Sequence, residues 1–222
     1  MKVLFCAAAF ALCLASQSLA VINLQITEIW PGQAGTDVTG DWFEVTNFGD
    51  TAWVDGVDGP LSADDGPAVF ANSALISGIL DILPGESVLV LMEADGADKT
   101  NFFNVWNPVI AQDLDNIGFC DGSGLGMGQP ADGASIFLNG VLADNELYAG
   151  SGLFNNGQSW DSYLGAYSVV GNEAGAVATL ALGGEDLDAP AIGSPGQIQG
   201  VPEPSSVVMV GLAMLGLAGR RR

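Results

Sequence analysis

The stretch that decides the fold is "VINLQITEIW", residues 21–30. Apolar and polar side chains alternate along it: Ile22, Leu24 and Ile26 against Asn23, Gln25 and Thr27. A period of two is typical of a β-strand with one buried face. Glu28 keeps the phase of the apolar residues, so the pattern predicts a carboxyl that points inward, where burial raises its pKa. The alternative is that the strand ends or bulges there and Glu28 reaches solvent or a loop amide.

Other segments repeat this short-strand pattern. "DWFEVTNFGD", residues 41–50, alternates and ends in a turn at 47–50. A turn at Pro84-Gly85 precedes the apolar run Val88–Met92, which is suited to a strand buried on both faces. In "SIFLNGVLAD", Asn139-Gly140 is a two-residue hairpin signal, because both residues tolerate positive φ. Further strands are predicted at 160–164, 166–170 and 177–182.

Short strands separated by Gly, Asp and Asn turns predict an all-β sandwich. No linker divides the stretch between the two chain ends, so we expect one domain over residues 21–200. Its long loops are predicted at about 55–80 and 95–132.

Several of these segments together resemble the lamin-tail domain, an immunoglobulin-like sandwich of nuclear lamins and many secreted bacterial proteins. The matching segments are Ile26-Thr27-Glu28-Ile29, Asp41–Asn47, Gly49-Asp50-Thr51, Val54-Asp55, Leu83-Pro84-Gly85, the Asp132–Asp144 hairpin and the closing turn Gly193-Ser194-Pro195-Gly196. The resemblance covers most of residues 22–197, and the long loops depart from it. It implies an immunoglobulin-like fold but no particular function, because that fold hosts many unrelated roles.

The N-terminal residues are typical of a secretory signal peptide. Lys2 precedes the apolar run "VLFCAAAFALCLA", and "SQSLA" follows with small residues at Ser18 and Ala20. This pattern predicts residues 1–20 as a signal peptide cleaved after Ala20. The alternative is a retained membrane helix, for which the apolar run is short.

Cleavage would remove Cys6 and Cys13 and leave Cys120 as the one thiol of the mature chain. One thiol cannot form an internal disulfide. Cys120 is predicted to be a small buried hydrophobe, and the alternative is a thiol that pairs between molecules.

The C-terminal residues "VPEPSSVVMVGLAMLGLAGRRR", 201–222, combine a Pro-Glu-Pro, a short apolar run and three arginines. Basic residues after an apolar segment stay on the cytoplasmic side. The tail should therefore insert transiently in the membrane, with residues 21–204 outside. The alternative is a permanent C-terminal anchor.

This tail resembles the PEP-CTERM sorting signal of Gram-negative bacteria, with all three parts in order. The residues that carry the resemblance are Val201, Pro202, Glu203, Pro204, Arg220, Arg221 and Arg222. It implies export through the secretion translocon, transient membrane insertion, and cleavage near the Pro-Glu-Pro by an exosortase, a transpeptidase-like membrane enzyme. The protein is then expected at the cell surface or in the extracellular matrix.

Composition restricts the chemistry. The chain has 26 acidic residues, 5 basic ones and no His. Removing Lys2 and the three terminal arginines changes the formal charge from −21 to −25, which disfavours nucleic acid as a partner. Serine hydrolase, cysteine protease and Schiff-base chemistry each lack a required partner residue. We therefore expect a non-catalytic surface or matrix module.

Paired carboxylates remain available for catalysis. The alternative function is a protein that binds or cleaves extracellular polysaccharide, with Glu28 or Glu44 as the first candidate catalytic residues. Aromatic rings stack on sugars, and Trp42 and Trp53 are expected to be the most exposed.

No cofactor is required by these patterns, although Ca²⁺ is a candidate ligand. Acidic residues cluster in the loops, and the first candidates are Asp113, Asp115 and Asp121. None of the clusters has the spacing of a known Ca²⁺ loop, so the alternative is that these acids form turns and a soluble surface.

Overall fold

The computed structural model describes residues 20–32, 39–94, 98–107, 109, 116–122, 125–127, 132–148, 157–172, 175–179 and 190–197. The predicted signal peptide before Ala20 and the tail at 201–222 lie outside the described residues. Within the described ranges, no helix is both long enough and apolar enough to cross a membrane.

Most of the described residues that have regular structure are in short strands, so the all-β prediction is confirmed. The strands are β1 Leu24–Trp30, β2 Trp42–Asn47, β3 Trp53–Val54, β4 Leu61–Asp65, β5 Ala74–Leu75, β6 Asp81–Ile82, β7 Ser87–Leu91, β8 Ile117–Phe119, β9 Gly133–Leu138, β10 Val141–Leu147, β11 Trp160–Asp161, β12 Ala166–Tyr167, β13 Val177–Thr179 and β14 Ala191–Gly193. A 3₁₀ turn covers Phe70–Asn72, and one α-helix, α1, covers Asp98–Trp106.

The strands form two larger sheets and two small ribbons. The six-stranded sheet has the order β12-β11-β1-β2-β7-β8, and the four-stranded sheet has the order β10-β9-β4-β5. The pairs β13-β14 and β3-β6 are separate. Only β7 and β8 are parallel among the described strand pairs. The β9-β10 hairpin turns at Asn139 and Gly140 with φ of 51° and 78°, which confirms the predicted hairpin.

The main core lies between the two larger sheets. One face of the six-stranded sheet contributes Ile26, Phe43 and Val45, and the four-stranded sheet contributes Leu61 and Ile136. These side chains are almost completely buried, so the two sheets are held together by apolar packing across their inner faces.

A second core covers the outer face of the six-stranded sheet. Residues of the sheet pack there against α1 and β14: Trp30, Trp42, Leu89 and Leu91 against Phe102, Val105, Trp106 and Ala191. The prediction that 88–92 is a strand buried on both faces is therefore confirmed, since Val88 and Val90 lie in the main core and Leu89 and Leu91 in the outer one.

The two predicted long loops are wrong in their extent. The first contains β4, the 3₁₀ turn and β5, and the second contains α1 and β8. The sequence of β4, "LSADD", does not indicate a buried strand. Both faces of β4 are nevertheless covered, and even Asp64 is buried. The later strands are shorter than predicted: β11 and β12 each have two residues.

Two further residues lie deeper than the sequence indicated. Trp42 is 0 % exposed and Trp53 is 2 % exposed, so the prediction that they face solvent is wrong. Trp42 lies under α1, and the Trp53 indole donates a hydrogen bond to the Gly59 carbonyl at 3.1 Å within the main core. Cys120 is also in the main core, as the hydrophobe interpretation predicted. Burial raises the pKa of its thiol to about 12.

Candidate functional site: a buried carboxylate pair

A β-bulge at Thr27 places Glu28 on the outer face of the six-stranded sheet. Ile26 pairs with Val45 and Glu28 pairs with Glu44, so Thr27 is the extra residue of β1. The bulge reverses the alternation, and Glu28 lies on the same face as Trp30 rather than with Ile26. Glu28 is buried, as the pattern predicted, but on the outer face of the sheet and not with Ile26, and the alternative of a bulge with a loop amide is confirmed.

Three carboxyl groups lie side by side on this face. Glu28 of β1 is opposite Glu44 of β2 on one side and opposite Asp161 of β11 on the other. They are 2 %, 0 % and 4 % exposed. Residues opposite each other on neighbouring strands have Cβ atoms about 5 Å apart. The fold thus brings together the two carboxylates that the sequence put forward and adds Asp161.

The Glu28 carboxyl accepts hydrogen bonds from the residue before β11 and from the turn after β14. Its Oε1 accepts a short hydrogen bond from the Ser159 hydroxyl and one from the Ser194 backbone N–H at 2.8 Å. Its Oε2 is buried and has no hydrogen-bond partner among the described residues. Burial raises the pKa of Glu28 to about 7, although the bonds from Ser159 and Ser194 act in the opposite direction.

The Glu44 carboxyl is held by the bulge and by the same turn. Its Oε1 accepts a hydrogen bond from the Thr27 hydroxyl at 2.5 Å, and its Oε2 accepts one from the Gly196 backbone N–H at 2.5 Å. The hydroxyl contacts continue from Thr27 to Thr46 at 3.0 Å and from Thr46 to Ser87 at 2.7 Å. Burial, and then the nearby charge of Glu28, raise the pKa of Glu44 to about 8.

The closing turn, residues 193–196, can reach both carboxyls because of its glycines. A Cβ on Gly193 would lie 3.0 Å from Glu28 Oε1 and 3.1 Å from the Trp106 ring. Gly196 has φ of 79°, a conformation that side chains disfavour. The sequence predicted this turn but not its contacts with the carboxyls. Its two glycines were the available signal, because they indicate a close backbone approach.

Aromatic rings pack on the same face of the sheet as the carboxyl pair. Trp30 and Trp42 stack with ring centroids 6.2 Å apart, and Trp106 meets each of them edge-on at 5.9 Å. All five tryptophans of the chain are buried, so none forms an exposed platform for a sugar ring. This arrangement can hold a proton on the pair, but it gives a polymer no access to either carboxyl.

The acidic residues proposed for Ca²⁺ are not brought together by the described part of the chain. Asp113 and Asp115 lie outside the described residues, and Asp121 is exposed. In the described ranges, no group of three or more His, Cys, Asp or Glu side chains is arranged to hold a metal ion. Asp58 and Asp64 instead accept backbone N–H groups, from Val54 at 2.8 Å and from Val69 at 2.7 Å. Calcium binding at 113–121 stays a prediction.

The comparison with known families concerns the C-terminal end of the chain. Residues 200–222 match the PEP-CTERM protein-sorting motif. No curated protein and no solved structure matches the chain. The motif implies export, association with the envelope and processing by an exosortase. The chain therefore ends in a PEP-CTERM sorting signal of an exported protein, as its Pro-Glu-Pro and arginine cluster predicted.

Proposed function

We propose that the protein is a non-catalytic module of the cell surface or extracellular matrix of a Gram-negative bacterium. Its body is an immunoglobulin-like sandwich of the lamin-tail kind over residues 21–200, and the tail delivers it to the outside. The signal peptide at 1–20 starts export, and the exosortase removes the tail near Pro204.

The burial of Glu28 and Glu44 is the observation that carries this proposal. A catalytic carboxyl must contact its substrate, and both of these groups are buried on the sheet face that α1, β14 and the tryptophans cover. Their oxygens also accept hydrogen bonds from the protein's own hydroxyls and amides. The pair therefore supports a structural role, and the charge of the mature body favours neutral or basic partners over nucleic acid.

The competing function is binding or cleavage of extracellular polysaccharide. Exposed aromatic residues exist, since Tyr163 is 71 % exposed and Phe70 is 51 % exposed. Both rings are exposed whereas the carboxyl pair is buried: Tyr163 lies in the turn after β11, and Phe70 packs on Phe137 of the four-stranded sheet. Polysaccharide binding without cleavage is therefore the version of this alternative that the exposed aromatic residues support.

The experiment incubates the exported protein with extracellular polysaccharide purified from the producing cells. New reducing ends report cleavage, and co-sedimentation reports binding. We expect no new reducing ends from the wild-type protein or from Glu28→Gln. Cleavage by the wild-type protein that Glu28→Gln abolishes would establish the enzyme instead. Co-sedimentation that Tyr163→Ala weakens, with no cleavage, would make the module a polysaccharide-binding one.

A further inference from the structure

The strongest unexplained feature of the molecule is the row of buried acids under its closing turn. Glu28 and Glu44 face each other on adjacent strands, and each accepts one backbone N–H from the same turn, from Ser194 and Gly196 respectively. The turn ends at Gly196, and the sorting motif begins at residue 200. The pair thus fastens the part of the domain that leads directly into the sorting signal.

The surroundings of the pair provide little compensation for two negative charges. Asp161 on β11 adds a third carboxyl, and the residue of β7 opposite Glu44 is Leu89, which carries no charge. The segment 190–197 has no titratable side chain. α1 contains Asp98 and Lys99 in its first turn. The charges that act most strongly on the pair are carboxylates, since Asp161 acts on Glu28 and Glu28 acts on Glu44.

Two ionised carboxylates in contact with no cation are unfavourable in a dry site. Retaining one proton removes one of the charges and leaves the other carboxylate as a strong acceptor for the turn amides. The unpartnered Oε2 of Glu28 is consistent with this state, since a buried oxygen without a donor is tolerated better when the carboxyl is neutral.

We propose that Glu28 and Glu44 form a proton-binding site that latches the segment 190–197 onto the six-stranded sheet. While the pair holds at least one proton, the amides of Ser194 and Gly196 stay bound. When the pair loses its last proton, mutual repulsion of the carboxylates displaces the turn from β1 and β2, and the segment is released. Release would lengthen the tether before the sorting motif by up to about 27 Å, because an extended chain spans about 3.4 Å per residue. The latch does not depend on whether the module binds a polysaccharide.

Hydrogen exchange of the exported protein tests the latch between pH 6 and pH 9. Exchange rates are divided by the intrinsic rate at each pH, which leaves the protection of each segment. We expect protection of 190–197 to fall about ten-fold per pH unit once the pair ionises, since release is linked to one proton. Protection of β7 should fall by less than that of 190–197.

Glu44→Gln removes the charge and keeps the hydrogen bonds, because its Oε1 can accept from Gly196 and its Nε2 can donate to Thr27. This variant should show no fall in protection at 190–197. Asp55→Asn, an exposed residue, removes the same charge at the surface and should behave as the wild-type protein does. If Glu44→Gln does not fold, Glu28→Gln replaces it.

Any of the following results would overturn the latch. The first is unchanged protection of 190–197 in the wild-type protein between pH 6 and pH 9. The second is a fall that Glu44→Gln or its replacement reproduces, or a fall in β7 that matches the one in 190–197. The third is recovery of protection at pH 9 on adding Ca²⁺, which would make the pair a cation site instead.

Discussion

Glu28 of β1 lies directly opposite Glu44 of β2, and the two carboxyls accept amide hydrogen bonds from the same turn, at Ser194 and Gly196. Like charges opposite each other on neighbouring strands are normally destabilising. The protein buries this pair almost completely, so the protonation of the pair becomes part of the stability of the fold.

We expect the thermal stability to decrease from acidic to weakly alkaline pH. The folded-state pKa values of Glu28 and Glu44 are raised to about 7 and about 8 from the ordinary value of 4.5. The stabilisation from their protonation is fully present below pH 4.5 and is lost as the pH rises through 7 and 8. Scanning calorimetry of the exported protein from pH 5 to pH 9 measures this loss.

In the same measurement Glu44→Gln should melt above the wild-type protein at pH 9, by several degrees, because each pKa unit corresponds to about 1.4 kcal/mol. The difference should shrink toward pH 5, where the wild-type carboxyls are protonated. A Glu44→Gln protein that keeps the full pH dependence of the wild type would contradict this explanation.

Gly193→Ala should destabilise the domain. Its methyl group would meet Glu28 Oε1 at 3.0 Å, the Trp106 ring at 3.1 Å and Ser159 Oγ at 3.2 Å, none of which can move freely. Overpacking of this kind costs about 1–3 kcal/mol. Gly126→Ala is the matched control, since its nearest neighbour is the end of the Glu93 side chain at 3.2 Å. Urea unfolding of both variants compares their stability, and equal unfolding midpoints for the two would contradict the packing argument.

Cys120 should not react with a thiol reagent until the domain unfolds. Its side chain is 0 % exposed, and burial raises its pKa to about 12, so the reactive thiolate is scarce at neutral pH. The rate of modification by a chromogenic disulfide should therefore follow the rate of unfolding in urea. A fast reaction of the native protein, or a covalent dimer without reductant, would instead support pairing between molecules.

Calcium should raise the melting temperature more than NaCl of equal ionic strength does, if the acids at 113–121 share an ion. A ligand that binds only the folded form stabilises it by mass action, whereas NaCl only screens the repulsion of an acidic chain. Asp121→Asn should reduce the calcium effect and leave the NaCl effect unchanged. Equal shifts in the two salts would assign these acids to the solvated surface.

The sorted protein should lack both ends of the chain. Intact-mass measurement of the envelope fraction should give a mass without residues 1–20 and without Arg220–Arg222. Glu203→Ala should leave the tail uncleaved, because the Pro-Glu-Pro is the part of the motif near which the exosortase cuts. Arginines retained in the exported wild-type protein would favour a permanent anchor.

The sequence by itself determined the class of the fold and the destination of the protein. Alternation in 21–30 and 41–50, the apolar run 88–92 and Asn139-Gly140 are local signals, since strand period and turn conformation depend on neighbouring residues. The sorting tail can also be recognised from local sequence, because its motif and charges lie within residues 200–222.

Tertiary structure decided which face each side chain joins. The bulge at Thr27 exists because β1 pairs with β2 in a particular register, and one extra residue transfers Glu28 from the main core face to the outer face. No local pattern reveals that shift. The burial of Trp42 likewise depends on α1, which lies about 60 residues further along the chain and covers the outer face. The carboxyl site needs four separate segments, β1, β2, the residues around β11 and the turn after β14, and only the folded chain brings them into contact.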